Sequence, residues 1–355
     1  MNSLSSTPSA APDAAASAAA PSSAPSSTPA AAAAPAPAAS HRKHAWLADY
    51  SMPLLYIALF TVLSLTVENF FSAGNVVGLM LSVAQIGMVA CTMMLCLASR
   101  DFDLSVGSTI AFSGVLGAML LERTGSVVIA VGGGLLAGAL IGAGNGVLIA
   151  YLRINALIAT LATMLMVRGL AFIASQGQAV GIANDAFISF GDARVFGLPL
   201  PVLVVAACFV IFGVLLNHTV FGRNTLAVGG NPEAARLAGV KVEQLRVWIF
   251  LLQGLVTAMA GLILASRITS GQPNAAQGFE LDVISACVLG GVSLQGGKAR
   301  IIGVLVGVLI MGTVENVMNL MNVDAFYQYL VRGLILLAAV LLDQLKTRGA
   351  GGHRD

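Results

Sequence analysis

Five polar side chains lie inside long apolar runs, where such groups are costly and are usually kept for a function. They are Asn145, Arg168, Glu315, Asn316 and Arg332. Glu315 and Arg332 lie on successive apolar runs and could form a buried ion pair, which is the simplest structural role for two such charges. The alternative is that some of these groups line a path for a polar solute, which must bind that solute weakly enough to release it.

A short motif occurs twice and places two carboxylates in equivalent positions. Residues 102–108 read FDLSVGS, and residues 279–285 read FELDVIS. Asp103 and Glu280 each precede an apolar run, where a carboxylate can cap a helix or contact a solute. The candidate residues for a solute path are therefore Asp103, Ser105, Ser108, Asn145, Glu280, Ser285, Glu315 and Asn316, and Arg168 and Arg332 are either structural charges or part of that path.

The sequence does not show the residue spacing expected of a metal site, a catalytic site or a nucleotide site. The four cysteines all lie within apolar runs, which is typical of small buried side chains and not of disulfides: Cys91, Cys96, Cys208 and Cys287. The four histidines lie outside those runs, and none has the spacing expected for a zinc site. Gly296 and Gly297 precede a lysine but lack the spacing of a phosphate-binding loop. The glycines of Gly142–Gly146 lie within an apolar run and predict close helix packing.

The composition indicates the environment in which this chain folds. Of its 355 residues, 57% are hydrophobic and 10% are charged, and the mean hydropathy is +0.88. A soluble domain carries about 25% charged residues on its surface. The composition therefore excludes a soluble enzyme, a nucleic-acid-binding protein and a disordered protein, and it predicts an all-α integral membrane protein whose surface contacts lipid.

Three regions follow from the distribution of residue types. Residues 1–45 are rich in Ala, Pro and Ser and cannot form a packed core, so we expect a disordered tail. Residues 46–345 form the predicted membrane domain, and residues 346–355 a short cytoplasmic tail.

Ten apolar runs follow one another within the membrane domain. We place them at Met52–Val67, Val76–Ala98, Leu104–Leu121, Val127–Leu152, Ile154–Ala174, Leu198–Leu216, Val247–Ala265, Val283–Leu294, Ile301–Met321 and Tyr327–Leu342. Several are shorter than the roughly 20 residues that an upright helix needs, so some are expected to be broken or re-entrant. The run at Val283–Leu294 is the weakest of the ten.

The basic residues agree with ten spans. If the N-terminus is cytoplasmic, the outer loops hold only Arg123, Arg194 and Arg267 of the 18 Lys and Arg, and Arg168 and Arg332 fall within runs. All the others fall on the inner side, as the positive-inside rule requires. Both termini are therefore predicted to be cytoplasmic.

A second repeated motif supports an internal duplication. Residues 167–170 read VRGL, and so do residues 331–334, in the same order relative to the first motif. The two copies of each motif lie an odd number of runs apart, which turns one half upside down relative to the other. Many transporters use such an inverted repeat to build a pathway between the two halves.

The longest polar segment after the tail contains a short predicted helix. Asn231 can cap it, Pro232 suits its first position and Glu233 is favourable in its first turn. Gly239 can end it in a left-handed conformation. Such a helix would lie outside the membrane, where it either docks into a soluble partner or only connects two spans.

Local sequence resemblances decide between these alternatives. Glu233-Ala234-Ala235 followed by Gly239 resembles the EAA loop of ABC importer permeases. In that family the loop contacts the ATP-binding subunit, so the resemblance assigns ATPase coupling to the loop 217–246 and to its residues Asn231, Pro232, Glu233, Ala234, Ala235 and Gly239. Residues 97–108, LASRDFDLSVGS, resemble the signature of the ribose/arabinose/xylose branch, and residues 222–240 are similar to its L-arabinose importers. The likeness covers residues 46–345.

The resemblance implies a fold and a set of partners. The fold would be that of a type II ABC importer permease, with about ten transmembrane helices arranged as an inverted repeat. The chain would form a homodimer in the bacterial inner membrane and bind no cofactor itself. A partner ABC ATP-binding subunit would use ATP and magnesium, and a periplasmic binding protein would deliver a monosaccharide, L-arabinose by the narrower likeness. No nucleic acid is expected as a partner.

Two other classes of membrane protein are less consistent with the sequence. An ion-coupled secondary sugar transporter could also use an inverted repeat, but Glu315 is nearly the only acidic residue deep within a run, and an EAA loop would serve no purpose there. An integral-membrane enzyme would need a nucleophile or an acid and base at membrane depth, and every histidine lies outside the runs.

Overall fold

The computed structural model describes the backbone of residues 39–351 and the side chains of residues 52–341 and 344. Residues 1–38 and 352–355 lie outside the described residues, and with them most of the predicted tail at 1–45 and the end of the predicted tail at 346–355. Residues 39–45 belong to the first helix. Contacts divide the chain after Ala45, and the packing described below belongs to the unit that begins at Trp46.

Thirteen helices occur within residues 39–351. They are α1 (Ala39–Thr66), α2 (Ala73–Ala98), α3 (Val106–Thr124), α4 (Val127–Ala150), α5 (Ala156–Ser175), α6 (Asp185–Asp192), α7 (Leu200–His218), α8 (Val220–Gly230), α9 (Pro232–Leu237), α10 (Val242–Arg267), α11 (Phe279–Leu289), α12 (Ile301–Leu320) and α13 (Ala325–Gly351).

Four two-residue strands lie in the loops between helices. β1 (Val180–Gly181) pairs antiparallel with β4 (Ser270–Gly271), so the segment after α5 is joined to the segment after α10. β2 (Arg194–Val195) pairs with β3 (Leu198–Pro199) in a small hairpin between α6 and α7. The other regular elements within residues 39–351 are all helices.

Each of the ten predicted runs overlaps a helix. Among the described residues, six helices are long and apolar enough to cross a membrane: α2, α4, α5, α7, α10 and α12. Shorter apolar stretches occur at Met52–Thr66 of α1 and Ala325–Leu341 of α13. A span count of ten and the inverted repeat stay predictions.

Helix α11 differs from the predicted run at Val283–Leu294. It begins four residues earlier, at Phe279, and ends at Leu289. Its 11 residues reach only about 16 Å at ~1.5 Å per residue, roughly half of the hydrocarbon core. The run therefore forms a half-length helix followed by glycine-rich turns, and not an upright span.

Polar residues at helix starts explain several boundaries. The Ser72 hydroxyl accepts a hydrogen bond from the Asn75 N–H at 3.3 Å and caps α2. The Asn155 side chain accepts from the Leu157 N–H at 2.9 Å and caps α5. Capping satisfies backbone N–H groups that have no partner within the helix, so these boundaries are set by local sequence.

Helix α2 forms the centre of the bundle. From Ile86 to Ala98 every residue is buried, and the helix packs against α7, α10, α11 and α12. Other helices present large apolar side chains outward, such as Val128 of α4 at 81% exposure and Ile173 of α5 at 75%. An apolar outer face around a buried core is what a lipid-embedded bundle needs.

Glycines bring α4 and α10 into close contact, as the stretch Gly142–Gly146 predicted. A Cβ atom at Gly142 would overlap the carbonyl of Phe250, and one at Gly146 would lie 2.7 Å from the Cα of Val247. Gly144, on the other face, has no atom within 4 Å of that position. The two outer glycines thus allow close backbone approach.

Candidate functional site

The predicted short helix exists as α9, with the caps that its sequence indicates. The Asn231 side chain accepts hydrogen bonds from the N–H groups of Glu233 at 3.0 Å and Ala234 at 3.1 Å. Pro232 occupies the first turn, where no N–H is needed. Gly239 has φ +86°, so it does end the helix in the left-handed region. The ends of this short helix are therefore fixed by local contacts.

One face of α9 is anchored to the bundle and the other is free. Ala235 is only 4% exposed and joins the main apolar core, so it anchors α9 and does not face outward. Ala234 is exposed, and Leu237 is exposed by 90%. The sequence did not single out Leu237, yet it is the most prominent apolar side chain of this helix.

Arg236 joins α9 to the start of α10. Its guanidinium lies 3.1 Å from Glu233 Oε1 and also contacts the carboxylate of Glu243. Exposed pairs of this kind contribute little to stability, because water screens both charges. The main effect of these ion pairs is to set the orientation of α9 relative to α10.

Helix α8 is an element that the sequence analysis missed within the loop 217–246. It begins after Thr219, whose hydroxyl caps it by accepting from the Gly222 N–H at 3.3 Å. Near its end, a Cβ at Gly229 would overlap the Ala98 carbonyl at the end of α2. The same Ala98 carbonyl accepts a hydrogen bond from the Gly297 N–H at 2.9 Å. The helix therefore rests directly on the central helix and on the α11–α12 loop.

A cavity of about 720 Å³ lies beside α9. The α2–α3 loop, the α4–α5 loop, α9 and the first turns of α10 line it. Its charged lining residues are Arg100, Asp101, Arg153, Glu233, Arg236, Glu243 and Arg246. The cavity thus adjoins α9 itself and three segments of the bundle that could carry a displacement of α9.

An ion pair links α10 to the α2–α3 loop at this cavity. Arg246 Nε lies 3.0 Å from Asp101 Oδ2, and the Asp101 side chain is 5% exposed. Burial raises the pKa of Asp101 to about 6, although the Arg246 charge and a hydrogen bond from Ser99 oppose that rise. No sequence pattern indicates this pair, because Asp101 and Arg246 are far apart along the chain.

Three of the candidate path residues form a polar network between α3, α4 and α5. The Ser105 N–H and hydroxyl both donate to Asp103 Oδ1, at 2.9 and 2.6 Å. The Asn145 amide donates to the Ser105 hydroxyl at 3.0 Å, and the Thr163 hydroxyl donates to Asn145 Oδ1 at 2.6 Å. All four side chains are buried. Asp103 therefore has a turn-forming role before α3, and Thr163 is a member that the sequence analysis missed.

The two repeated serines are engaged within their own helices. The Ser108 hydroxyl donates to the Ser105 carbonyl at 2.8 Å, and the Ser285 hydroxyl donates to the Leu281 carbonyl at 2.7 Å. Glu280 does not cap its own helix, because the N-cap of α11 is Gly278. Its Oε2 lies instead beside the first turn of α3, 2.6 Å from where a Cβ of Gly107 would stand.

Both arginines of the repeated VRGL motif contact one segment, residues 273–282. Arg168 of α5 donates to the carbonyls of Pro273 at 2.8 Å and Ala275 at 2.7 Å. Arg332 of α13 forms an ion pair with Asp282 Oδ2 at 2.9 Å. The segment that leads into the half-length helix α11 is therefore held at both ends by arginine.

The predicted Glu315–Arg332 contact is present but is the weaker of two. Arg332 lies 3.8 Å from Glu315 Oε1, against 2.9 Å from Asp282. Asp282 was not a candidate from the sequence, although it stands in the repeated motif beside Glu280. Asn316 donates to Asn75 Oδ1 at 3.0 Å and so connects α12 to α2.

No group of three potential metal ligands occurs among the residues that the structure describes. Cys91, Cys96, Cys208 and Cys287 are all buried, as their apolar surroundings predicted.

Comparison with known proteins gives one family. Residues 75–340 match the family described as the branched-chain amino acid transport system / permease component. No solved structure matches the chain.

Several curated relatives cover most of this chain. The L-arabinose transport system permease protein AraH of Escherichia coli (strain K12) is 55% identical over 84% of this chain and 92% of its own length. The L-arabinose ABC transporter permease protein AraH of Azospirillum brasilense is 55% identical over 82% of this chain and 86% of its own length. The ribose import permease protein RbsC of Bacillus subtilis (strain 168) is 42% identical over 81% of this chain and 90% of its own length.

Proposed function

This chain belongs to the permease-component family that matches its residues 75–340, and from that premise we propose that it is the membrane-spanning subunit of an ATP-driven importer of L-arabinose. It is a multi-pass membrane protein of the inner membrane and a transport subunit, not an enzyme. ATP hydrolysis belongs to a separate ATP-binding subunit. The sequence likewise contains no phosphate-binding loop.

The sugar is assigned from the level of identity. The two arabinose permeases are each 55% identical to this chain, against 42% for the ribose permease of Bacillus subtilis. Sugar permeases at these identities also favour a monosaccharide over the amino acids in the family description. The 55% identity over 84% of the chain is the single observation that supports L-arabinose.

The proposed assembly is a homodimer of this chain with two cytoplasmic ATP-binding domains and a periplasmic binding protein that delivers the sugar. ATP and magnesium bind to the ATPase, and this chain binds no cofactor. Ten membrane segments with both termini cytoplasmic complete the proposal, with the half-length α11 and its glycine-rich turns counted as one broken crossing. It is supported by the ten apolar runs, each of which overlaps a helix, and by the excess of Lys and Arg on the predicted inner side.

We propose that α9 couples ATP hydrolysis to transport through a chain of contacts. From α9, Arg236 reaches Glu243 at the start of α10, and one turn later Arg246 pairs with Asp101. Asp101 lies two residues before Asp103, whose network joins α3, α4 and α5. A displacement of α9 can therefore reach three helices of the bundle without a long flexible link.

Uptake by a cell that lacks its own arabinose permease tests the function. Expression of this chain, with its ATPase and binding protein, should restore uptake of radiolabelled L-arabinose, and excess ribose should compete less well than unlabelled L-arabinose. Uptake driven equally well by ribose alone would reassign the sugar.

The energy source is tested in the same cells. Depletion of ATP should abolish uptake, whereas a protonophore that leaves ATP intact should spare it. The opposite pattern would mean an ion-coupled secondary transporter. The purified permease without its partner should not hydrolyse ATP; robust hydrolysis by this chain alone would contradict its assignment as a transport subunit.

A further inference from the structure

Three charged side chains from three helices meet in the second half of the chain. Asp282 of α11 and Glu315 of α12 both face Arg332 of α13, at 2.9 and 3.8 Å. We call these three residues the charged triad. The sequence predicted only the Glu315–Arg332 contact.

Two members of the triad, Glu315 and Arg332, lie inside the helices that carry them and not at their ends. Glu315 is five residues before the end of α12 at Leu320, which is about 7.5 Å along the axis at ~1.5 Å per residue. Arg332 is seven residues from the start of α13 at Ala325, or about 10 Å along the axis by the same rise. Glu315 and Arg332 therefore lie between one and two helical turns, at ~5.4 Å per turn, inside the nearer ends of their helices.

The triad is also not sealed from its surroundings. The Arg332 side chain is 21% exposed and the Glu315 side chain 30%. Charged groups at membrane depth face protein or a water-filled cavity and not hydrocarbon. The exposed edges of Arg332 and Glu315 therefore mark a polar surface that lipid does not cover.

One acceptor of the triad has no hydrogen-bond partner. Asp282 Oδ2 pairs with Arg332, but Asp282 Oδ1 is buried and has no partner among the described residues. Asn316, next to Glu315, is in the same condition at its Oδ1. A buried carboxylate oxygen without a donor is costly, so such groups usually await a ligand or water.

The first half of the chain provides the contrast. There, Asp103 Oδ1 accepts two hydrogen bonds from Ser105, Ser105 accepts from Asn145, and Asn145 accepts from Thr163. Each of these groups already has a partner within the protein. This network is therefore structural, although Asp103, Ser105 and Asn145 were equal candidates for a solute path from the sequence.

We propose that the charged triad binds the hydroxyl groups of a neutral sugar during its passage, and that the first-half network does not. Asp282 Oδ1 and the Glu315 carboxylate accept hydrogen bonds from sugar hydroxyls, and Arg332 donates to a sugar oxygen. Because the three charges already pair with one another, the sugar displaces water and not a counter-ion, so the site binds it weakly and releases it. This inference rests on the proposed function, since it names contacts made by the proposed substrate.

The contact is tested by a cycle in which a sugar hydroxyl is removed and a triad residue is substituted, separately and together. The complex is reconstituted in liposomes with ATP and with its binding protein saturated by L-arabinose or by one of its monodeoxy analogues. Uptake is divided by stimulated ATP hydrolysis, which corrects for docking of the binding protein. Wild type should lose about 10- to 150-fold in this ratio with at least one analogue, as expected for a lost hydrogen bond to a charged group.

Asp282→Asn should make the complex indifferent to that same analogue, with a loss of less than about 2-fold, because the contact is already weakened. Asp103→Asn is the matched control: it is the same substitution in a side chain of similar burial, but in the structural network. It should keep the discrimination of wild type. Equal discrimination by wild type and Asp282→Asn would overturn the proposal, as would its loss in Asp103→Asn alone.

A second variant covers the case in which Asp282→Asn does not fold. Glu315→Gln changes the most exposed member of the triad and leaves the closer Arg332–Asp282 pair intact. It should lower discrimination against at least one analogue, and unchanged discrimination against all of them would contradict the proposal. If wild type itself does not import L-arabinose with ATP, the proposed function fails; if it does and the cycle shows no coupling, only the triad's role fails.

Discussion

Substitution of Gly239 should uncouple α9 while leaving the membrane domain folded. Gly239 has φ +86°, and its N–H donates to the Arg236 carbonyl at 2.9 Å while the Val240 N–H donates to the Ala235 carbonyl at 3.0 Å. A Cβ here would meet no atom within 4 Å, so the effect of a side chain is purely that of the backbone. A left-handed non-glycine residue costs about 1–2 kcal/mol, and more when it is β-branched.

The magnitude follows from that strain. If the loop relaxes to relieve a strain of about 1–2 kcal/mol, the fraction of molecules in which residue 239 stays left-handed and ends α9 falls by about 5- to 30-fold relative to wild type. Gly239→Val should therefore reduce L-arabinose uptake several-fold, and binding-protein-stimulated ATP hydrolysis should fall with it or lose its link to transport. The amount of permease in the membrane should not change, because Gly239 lies outside the spans.

Two control variants separate strain from bulk. Gly239→Asn should keep most of the activity, since Asn tolerates the left-handed region. Gly230→Val adds the same side chain at the end of α8, where a Cβ also meets no atom within 4 Å and φ is not positive, and it should be mild. The measurements are L-arabinose uptake and its ratio to ATP hydrolysis, each corrected for the amount of permease in the membrane by immunoblot. If Gly239→Val matches Gly239→Asn in both, α9 is only a connector.

Three further outcomes are expected. Gly142→Val should prevent correct packing because its Cβ would overlap α10, whereas Gly144→Val, with no atom within 4 Å, should be tolerated; the amount of monodisperse permease after extraction compares them. Burial raises the pKa of Asp101 from 3.8 to about 6, so its contribution to stability is present below 3.8 and lost as pH rises through about 6. The melting midpoint of wild type relative to Asp101→Asn should therefore fall between about pH 4 and about pH 7, and parallel curves would contradict the assignment. Deletion of residues 1–38, which precede the basic residues that orient the first span, should leave insertion and uptake intact; normal insertion with lost uptake would reveal a role for that segment.

Local chemistry made α9 predictable from the sequence. Asn231, Pro232 and Gly239 act on backbone groups within a few residues of themselves, so their types alone indicate where the helix begins and ends. Apolar runs likewise indicated a helix in ten places, since a chain in lipid must satisfy its backbone within each segment. Helix α8 escaped prediction because its sequence mixes polar, small and apolar residues without a clear apolar run.

Partner choice inside the bundle was decided by the tertiary structure. The sequence offered Glu315 as the partner of Arg332, since the two lie on successive runs, but the closer partner is Asp282 on the half-length helix α11. The length of α11 decides this outcome, because a helix that starts within the bundle brings its first turns to the level of Arg332. The pattern of apolar residues along the sequence does not indicate at which level of the bundle a helix begins.

The equal candidates Asp103 and Glu280 separate for the same reason. Their motifs read alike, and composition and repeat spacing could not rank them. In the folded chain Asp103 is engaged by Ser105, whereas Glu280 reaches across to the first turn of α3. The sequence by itself determined the lipid environment, the helices and the local caps, because these depend on residues close together in the chain. Which polar groups are satisfied and which remain free depends on contacts between distant helices, and only the tertiary structure decided that.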